Sequence, residues 1–156
     1  MMNNKKLLIL CLVIPLAVGG GASLISGGGM DAFETLNKPP LSPPGILFPI
    51  VWTILYLLMG AASYFVITSD SAEEKIRSAV TLYGIQLFFN FLWPILFFSF
   101  SAYLLSFLWL VALLILIILT ALSFYKIKNM AGYLLIPYIA WVTFAGYLNF
   151  GVFVLN

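Results

Sequence analysis

Charged side chains divide this chain into four long uncharged runs, and that division leaves one environment in which it can fold. No charge stands between Lys6 and Asp31, between Lys38 and Asp70, between Arg77 and Lys126, or after Lys128. A helix needs about 20 apolar residues, at 1.5 Å each, to cross a bilayer. The first run supplies one span near residues 7–26, and the second supplies one near 47–67. The third holds about 48 residues, or about 70 Å of helix, more than twice the thickness of a hydrocarbon core. It must fold back, and Ser99-Phe100-Ser101-Ala102 is the best turn, giving spans near 79–98 and 102–125. The last run gives a fifth span near 132–155. The expected fold is all-α, a single integral membrane bundle of five transmembrane helices over 1–156, with a lid loop near 27–46.

Composition excludes the main alternatives. Only 8% of the residues are charged, against about a quarter in a soluble domain, so the surface of this chain must face lipid. A net charge of +2, thinly spread, gives no footprint for nucleic acid. There is no histidine and the single cysteine is Cys11, so the commonest metal and haem ligand is missing and no metal site is expected. No acid or base lies inside an expected span. That argues against ion-coupled transport and against hydrolytic catalysis. Met1 to Lys6 followed by an apolar stretch resembles a signal peptide. Gly19-Gly20-Gly21-Ala22-Ser23 lies inside that stretch rather than after it, however, so the first helix is expected to be retained.

Two loops carry information. Between the second and third spans, Ser71 and Glu74 have capping-box spacing, and Glu73 and Arg77 form an i,i+4 pair. The lid loop is the longest, with Gly27-Gly28-Gly29 as a hinge and Pro39, Pro40, Pro43 and Pro44 keeping its later half extended.

The polar and aromatic residues inside the spans fall into three stripes at helical spacing. Trp52, Tyr56, Gly60 and Ser63 form the first. Tyr83, Gln86, Asn90 and Trp93 form the second. Tyr138, Trp141, Ala145, Leu148 and Asn149 form the third. Amides in hydrocarbon must find partners, so Gln86 and Asn90 face inward. One reading makes the stripes interhelical glue with interfacial aromatic belts. The other makes them the wall of a cavity for a flat, mostly apolar ligand, because Asn90 and Trp141 lie near mid-span, where belt aromatics do not belong.

The run Lys38-Pro39-Pro40-Leu41-Ser42-Pro43-Pro44, followed by Phe48-Pro49-Ile50-Val51-Trp52-Thr53-Ile54-Leu55-Tyr56, resembles the translocator protein family, also called tryptophan-rich sensory proteins or peripheral-type benzodiazepine receptors. The likeness continues in Gln86, Asn90, Trp93-Pro94, Phe97-Phe98, Pro137-Tyr138-Ile139-Ala140-Trp141 and Leu148-Asn149. The resemblance implies a five-helix bundle, often a homodimer, with a cavity under the first loop. The implied ligands are porphyrins such as protoporphyrin IX, sterols, and isoquinoline carboxamide or benzodiazepine-type drugs. On the matching positions Trp52, Asn90, Trp141, Ala145 and Leu148 would line the cavity, with Gly19 and Ala22 from the first helix. Tyr56, Gln86 and Trp93 join them as ligand-binding candidates. Some family members are reported to degrade protoporphyrin in light, which makes Trp52 and Trp141 the candidates for any catalytic role. No cofactor is required, and porphyrin would be ligand or substrate. Gly151-Val152-Phe153-Val154-Leu155-Asn156 lacks the tyrosine and basic residue of the sterol-recognition pattern in animal members, and Leu122, Tyr125 and Lys128 fit it only formally. Weak sterol binding and a bacterial cell membrane are the expectations.

Orientation follows from basic residues in short loops. Lys5, Lys6, Lys75, Arg77, Lys126 and Lys128 lie at one end of the expected bundle and Lys38 at the other. The first end, with the amino terminus, is therefore expected in the cytoplasm and Asn156 outside it. A reporter enzyme active only outside the cytoplasm, fused after Asn156, should be active. A cytoplasmic carboxyl terminus would contradict the five-span reading.

Overall fold

The computed structural model describes residues 2–27 and 30–156, with Met30 given by its backbone alone. Seven α-helices are found among the described residues: α1 (Asn4–Ile25), α2 (Met30–Thr35), α3 (Leu47–Ile67), α4 (Glu73–Pro94), α5 (Tyr103–Ile127), α6 (Asn129–Tyr133) and α7 (Ile136–Leu155). A π-helical turn, Ile95–Ser99, extends α4. Five helical segments are long and apolar enough to cross a membrane: α1, α3, α4 with its π turn, α5, and α6 with α7. The chain is a multi-pass membrane protein, an all-α bundle of five spans.

Local chemistry sets the helix ends. Asn3 caps α1, its side chain accepting from Lys6 N at 2.8 Å, so this helix begins three residues before the expected span. It ends where Ser26 N–H turns back to Ala22 O, followed by Gly27 at φ +77°. Gly28 and Gly29, the rest of the expected hinge, lie outside the described residues.

The expected capping box at α4 does not form. Ala72 is the cap residue, its carbonyl accepting from Lys75 N and Ile76 N. Ser71 sits one position too early, with its own N–H drawn to Ser69 Oγ at 3.4 Å. The Glu73–Arg77 pair is present at 3.1 Å, but both groups are well exposed, so it adds little.

Pro94 ends α4, since it offers no N–H to continue the ladder. The chain then unwinds through the π turn to Ser101, at φ +50°, before α5 begins. The last span, expected as one helix, is broken at Leu134–Leu135, and Pro137 starts α7 within its first turn.

The spans close into a ring. The first, α1, packs on α3 and α4; α4 packs on α5, and α5 on α7. The ring is completed by side chains, with Trp52 of α3 edge-on to Tyr138 of α7 at 6.1 Å. In addition, α5 is pinned to α4 by Trp109, whose ring stacks on Phe89 at 4.2 Å while its Nε1 donates to Phe89 O at 2.8 Å.

At Gly60 the backbones of α1 and α3 approach closely. Pro15 lies inside α1 and has no N–H for the carbonyl four residues earlier, that of Cys11. That carbonyl rests against Gly60, where an added Cβ would stand 2.5 Å from Cys11 O and 2.8 Å from Leu12 Cα. Both atoms are backbone and cannot step aside. Gly60→Ala should therefore destabilise the bundle by about 1–3 kcal/mol, read as a lower thermal midpoint in detergent. Gly84, also in a span but with open space at its Cβ position, should tolerate Ala or gain up to about 1 kcal/mol. Equal midpoints for the two variants would contradict this packing.

Candidate ligand cavity

A cavity of about 460 Å³ lies inside the ring toward the lid end. Its walls come from α1, α2, the start of α3, the end of α4 with the π turn, and α7. One side is small: Gly19, Ala22 and Ala145. The other is aromatic. Trp52 stacks on Tyr56 at 5.6 Å and 29°, and Trp93 stacks on Phe97 at 5.4 Å and 29°. Gly19 is required here, since a Cβ would collide with the Tyr56 ring. The exposed members of the wall are Gly20 and Ser23 on α1 and Pro49 and Thr53 on α3. The cavity thus opens beside the lid-proximal ends of α1 and α3.

The floor is polar and tightly bonded. Tyr56 Oη donates to Asn90 Oδ1 at 2.9 Å, Asn90 Nδ2 donates to Tyr138 Oη at 2.6 Å, and Tyr138 Oη donates to Gln86 Oε1 at 2.8 Å. All four residues are buried. A second bridge sits nearer the lid, where Trp93 Nε1 donates to Asn149 Oδ1 at 3.0 Å and Asn149 Nδ2 donates to Tyr103 O at 2.9 Å. Each of these groups would cost about 1–3 kcal/mol if left unpaired.

The lid is tied to the end of α7. Asn37 N–H donates to Asn156 Oδ1 at 3.2 Å, and Asn156 Nδ2 donates to Asn37 O at 2.8 Å. Tyr147 Oη donates to Pro40 O at 2.6 Å. Gly151 is needed for the same closure, because a Cβ there would strike Pro39. The short α2, inside what the sequence suggests is an irregular loop, drops Phe33 onto the cavity edge-on to Phe48 at 4.8 Å. Lys38 covers the outer side of Phe33, with Nζ 5.0 Å from the ring.

Of the residues singled out in the sequence, the structure brings Trp52, Tyr56, Asn90, Trp93, Ala145, Leu148, Gly19 and Ala22 together on the cavity wall. Two stand apart. Gln86 lies behind Asn90 and reaches it through Tyr138. Trp141 stands edge-on to Phe48 at 5.8 Å, and Phe48 is the residue on the wall. Its Nε1 is buried without a partner, one of two such side-chain atoms among the described residues, the other being Tyr83 Oη. The three stripes also divide along their length. Gly60 turns to α1, and Tyr83 packs on Phe124 of α5 at 5.7 Å. Sequence reasoning missed Phe33, Phe48, Phe97 and Phe98. The last two were visible in Trp93-Pro94-x-x-Phe97-Phe98, but only the π turn after Pro94 brings both to the cavity.

Fold and cavity together define a class: a five-span helical membrane protein with an aromatic cavity beneath a proline-rich lid. Residues 10–155 match the TspO/MBR family. Among its relatives, the tryptophan-rich protein TspO of Chlorobaculum tepidum is 39% identical over 156 residues, covering 98% of this chain and 99% of the relative. A protein of the same name from Archaeoglobus fulgidus is 35% identical, covering 99% of each. The translocator protein of Bos taurus is 35% identical over 143 residues, covering 86% of this chain and 81% of the relative. The chain belongs to the TspO/MBR family.

One lid contact depends on charge. Glu34 Oε1 accepts from Gly45 N at 2.7 Å, and Glu34 Oε2 pairs with Lys38 at 3.3 Å. The Gly45 N–H, and after it Lys38, hold this carboxyl below the ordinary glutamate range. The lowered value means that folding favours the charged form. The contribution is fully present above the ordinary glutamate value of about 4.3 and is lost as pH falls through the lowered one. The Gly45 amide proton resonance should therefore shift upfield on acidification with a midpoint below 4.3, and Glu34→Gln should abolish the titration. A midpoint at or above the ordinary value would contradict the contact.

Proposed function

We propose that the cavity binds porphyrins of the protoporphyrin IX type and related flat, hydrophobic ligands, and that the protein acts in tetrapyrrole sensing, transport or breakdown. The observation that carries this reading is the pairing of a continuous aromatic wall, Trp52 on Tyr56 with Phe33 and Phe48 beside it, with one amide, Asn90, at its foot. A planar conjugated ring gains most from such stacking, and a few convergent polar groups fix its orientation. The opening beside α1 and α3 suits a ligand that arrives dissolved in the bilayer. Isoquinoline carboxamide and benzodiazepine-type drugs share the flat apolar shape with one or two acceptors. Iron adds nothing here, since the chain has no histidine and Cys11 is buried on α1 away from the aromatic wall. Metal-free protoporphyrin should bind at least as well as haem, and a strong six-coordinate haem spectrum would contradict the reading.

A second reading makes the protein a light-dependent porphyrin-degrading enzyme, with light exciting the ligand and dioxygen as oxidant. Trp52 favours it. An indole at the wall can give an electron to an excited porphyrin, and two phenols, Tyr56 at 5.6 Å and Tyr138 at 6.1 Å, stand behind it. Trp141 stands one ring farther back, behind Phe48. Trp52→Phe and Trp141→Phe should each weaken protoporphyrin binding only a few-fold, as loss of about 0.5–1.5 kcal/mol implies. Under the enzyme reading the same changes cut bleaching under fixed light far more than binding. Bleaching that tracks occupancy in wild type, both single variants and the double variant would leave a binder and remove the enzyme.

A further inference from the structure

The floor of the cavity has a direction. Tyr56 gives its hydroxyl hydrogen to Asn90 Oδ1, Asn90 Nδ2 gives to Tyr138, and Tyr138 gives to Gln86 Oε1. The order follows from its far end, where Gln86 presents Oε1 to Tyr138. A phenol has one hydrogen. Tyr138 spends it on Gln86 Oε1, so toward Asn90 it can only accept. Asn90 must then present Nδ2 to α7 and Oδ1 to α3, where Tyr56 donates to it. Asn90 lines the cavity, while Gln86 does not.

We propose that Gln86 is a positioning residue that sets the polarity of the cavity. Acting through Tyr138, it fixes which end of the Asn90 amide faces each helix, and so where a ligand meets the one unspent Nδ2 hydrogen and the one unspent Oδ1 lone pair. The inference rests on the ligand-binding reading for its consequence but not for its geometry. Gln86 is 1% exposed, Tyr138 1% and Asn90 3%, so water is not at hand to substitute for a missing partner. Without the Gln86 oxygen, the hydrogen-bonded neighbour left to Tyr138 is Asn90, which can accept its hydrogen only if the amide turns over. The turned amide presents Nδ2 to Tyr56, which then accepts and releases its own hydrogen. Donor and acceptor at the floor exchange places with no change in the shape of the wall.

The variants that test this reverse the order expected from packing alone. Gln86→Met removes the strong acceptor and keeps length and apolar fit, and Gln86→Leu is a second variant should the first fail to fold. Gln86→Glu keeps an oxygen that accepts from Tyr138, whether or not it is protonated. The full-length protein in detergent, with asparagine side-chain nitrogen labelled, gives a direct reading. In wild type and Gln86→Glu, the Asn90 Nδ2 protons should show their strong nuclear Overhauser contact to the Tyr138 ring. In Gln86→Met or Gln86→Leu that contact should move to the Tyr56 ring. Protoporphyrin IX, titrated by quenching of tryptophan fluorescence, should bind wild type and Gln86→Glu alike and the other two about fivefold more weakly, the loss of one hydrogen bond. An Asn90 contact that stays on Tyr138 in Gln86→Met overturns the positioning role whatever the binding shows. A contact that moves while affinity holds overturns the claim that the amide polarity is read by the ligand. Failure of the wild type itself to bind protoporphyrin sinks the functional reading instead, and the contact experiment still decides the role of Gln86.

Discussion

An amide side chain inside a bilayer cannot be left without partners, and the architecture of this bundle turns on how two of them are satisfied. Asn90 and Gln86 lie one turn apart on α4, far from water, and the partners they find are phenols on α3 and α7. Between lipid-soluble helices there is little hydrophobic drive to associate, so packing and such bonds fix which helix sits beside which. These bonds tie α4 across the ring to α3 and α7, while the neighbouring helices of the ring meet by packing. On its α1 side, association rests on close approach instead, at Gly60 against the Cys11 carbonyl that Pro15 leaves without a donor.

The cavity is the volume these constraints leave unfilled. Ala22 and Ala145 supply little side chain, the Tyr56 ring already lies against Gly19, and the other rings are held in place. Tyr56 is held by Asn90, Trp93 by Asn149, and Trp52 by its stack on Tyr56. A bundle packed only by aliphatic side chains would relax inward. The bonded floor and stacked wall prevent that, and a flat ring ligand can recover the contacts the protein forgoes. The lid above it is fixed to α7 at Asn37, Pro39 and Pro40.

The bundle was largely legible in the sequence because charge cannot be hidden in lipid, and twelve charged residues mark where the chain turns. Helix ends were less so. Ser71 offered a capping box that Ala72 displaced, and the last span is broken before Pro137. Inward-facing residues could be picked out because polar groups at helical spacing share a face. Their partners could not, since nothing in the spacing of Asn90 names Tyr56 and Tyr138 as its neighbours. Phe48 is the instructive case. It heads the run that leads to Trp52 and Tyr56, but nothing in its spacing marks it as a wall residue, and it takes the place on the wall expected for Trp141. Which of the two faces the cavity depends on how α3 and α7 meet, and periodicity within one helix does not reveal that.

The central claim is that the cavity, and not the lipid-facing surface, receives a planar porphyrin. A structure of the full chain with protoporphyrin IX bound tests it most directly. The result expected is the macrocycle inside the ring of helices, in contact with Trp52 and under Phe33, with one polar atom within hydrogen-bond distance of Asn90. A macrocycle lying on the outer face of α5 and α7, with the cavity unchanged, would contradict it.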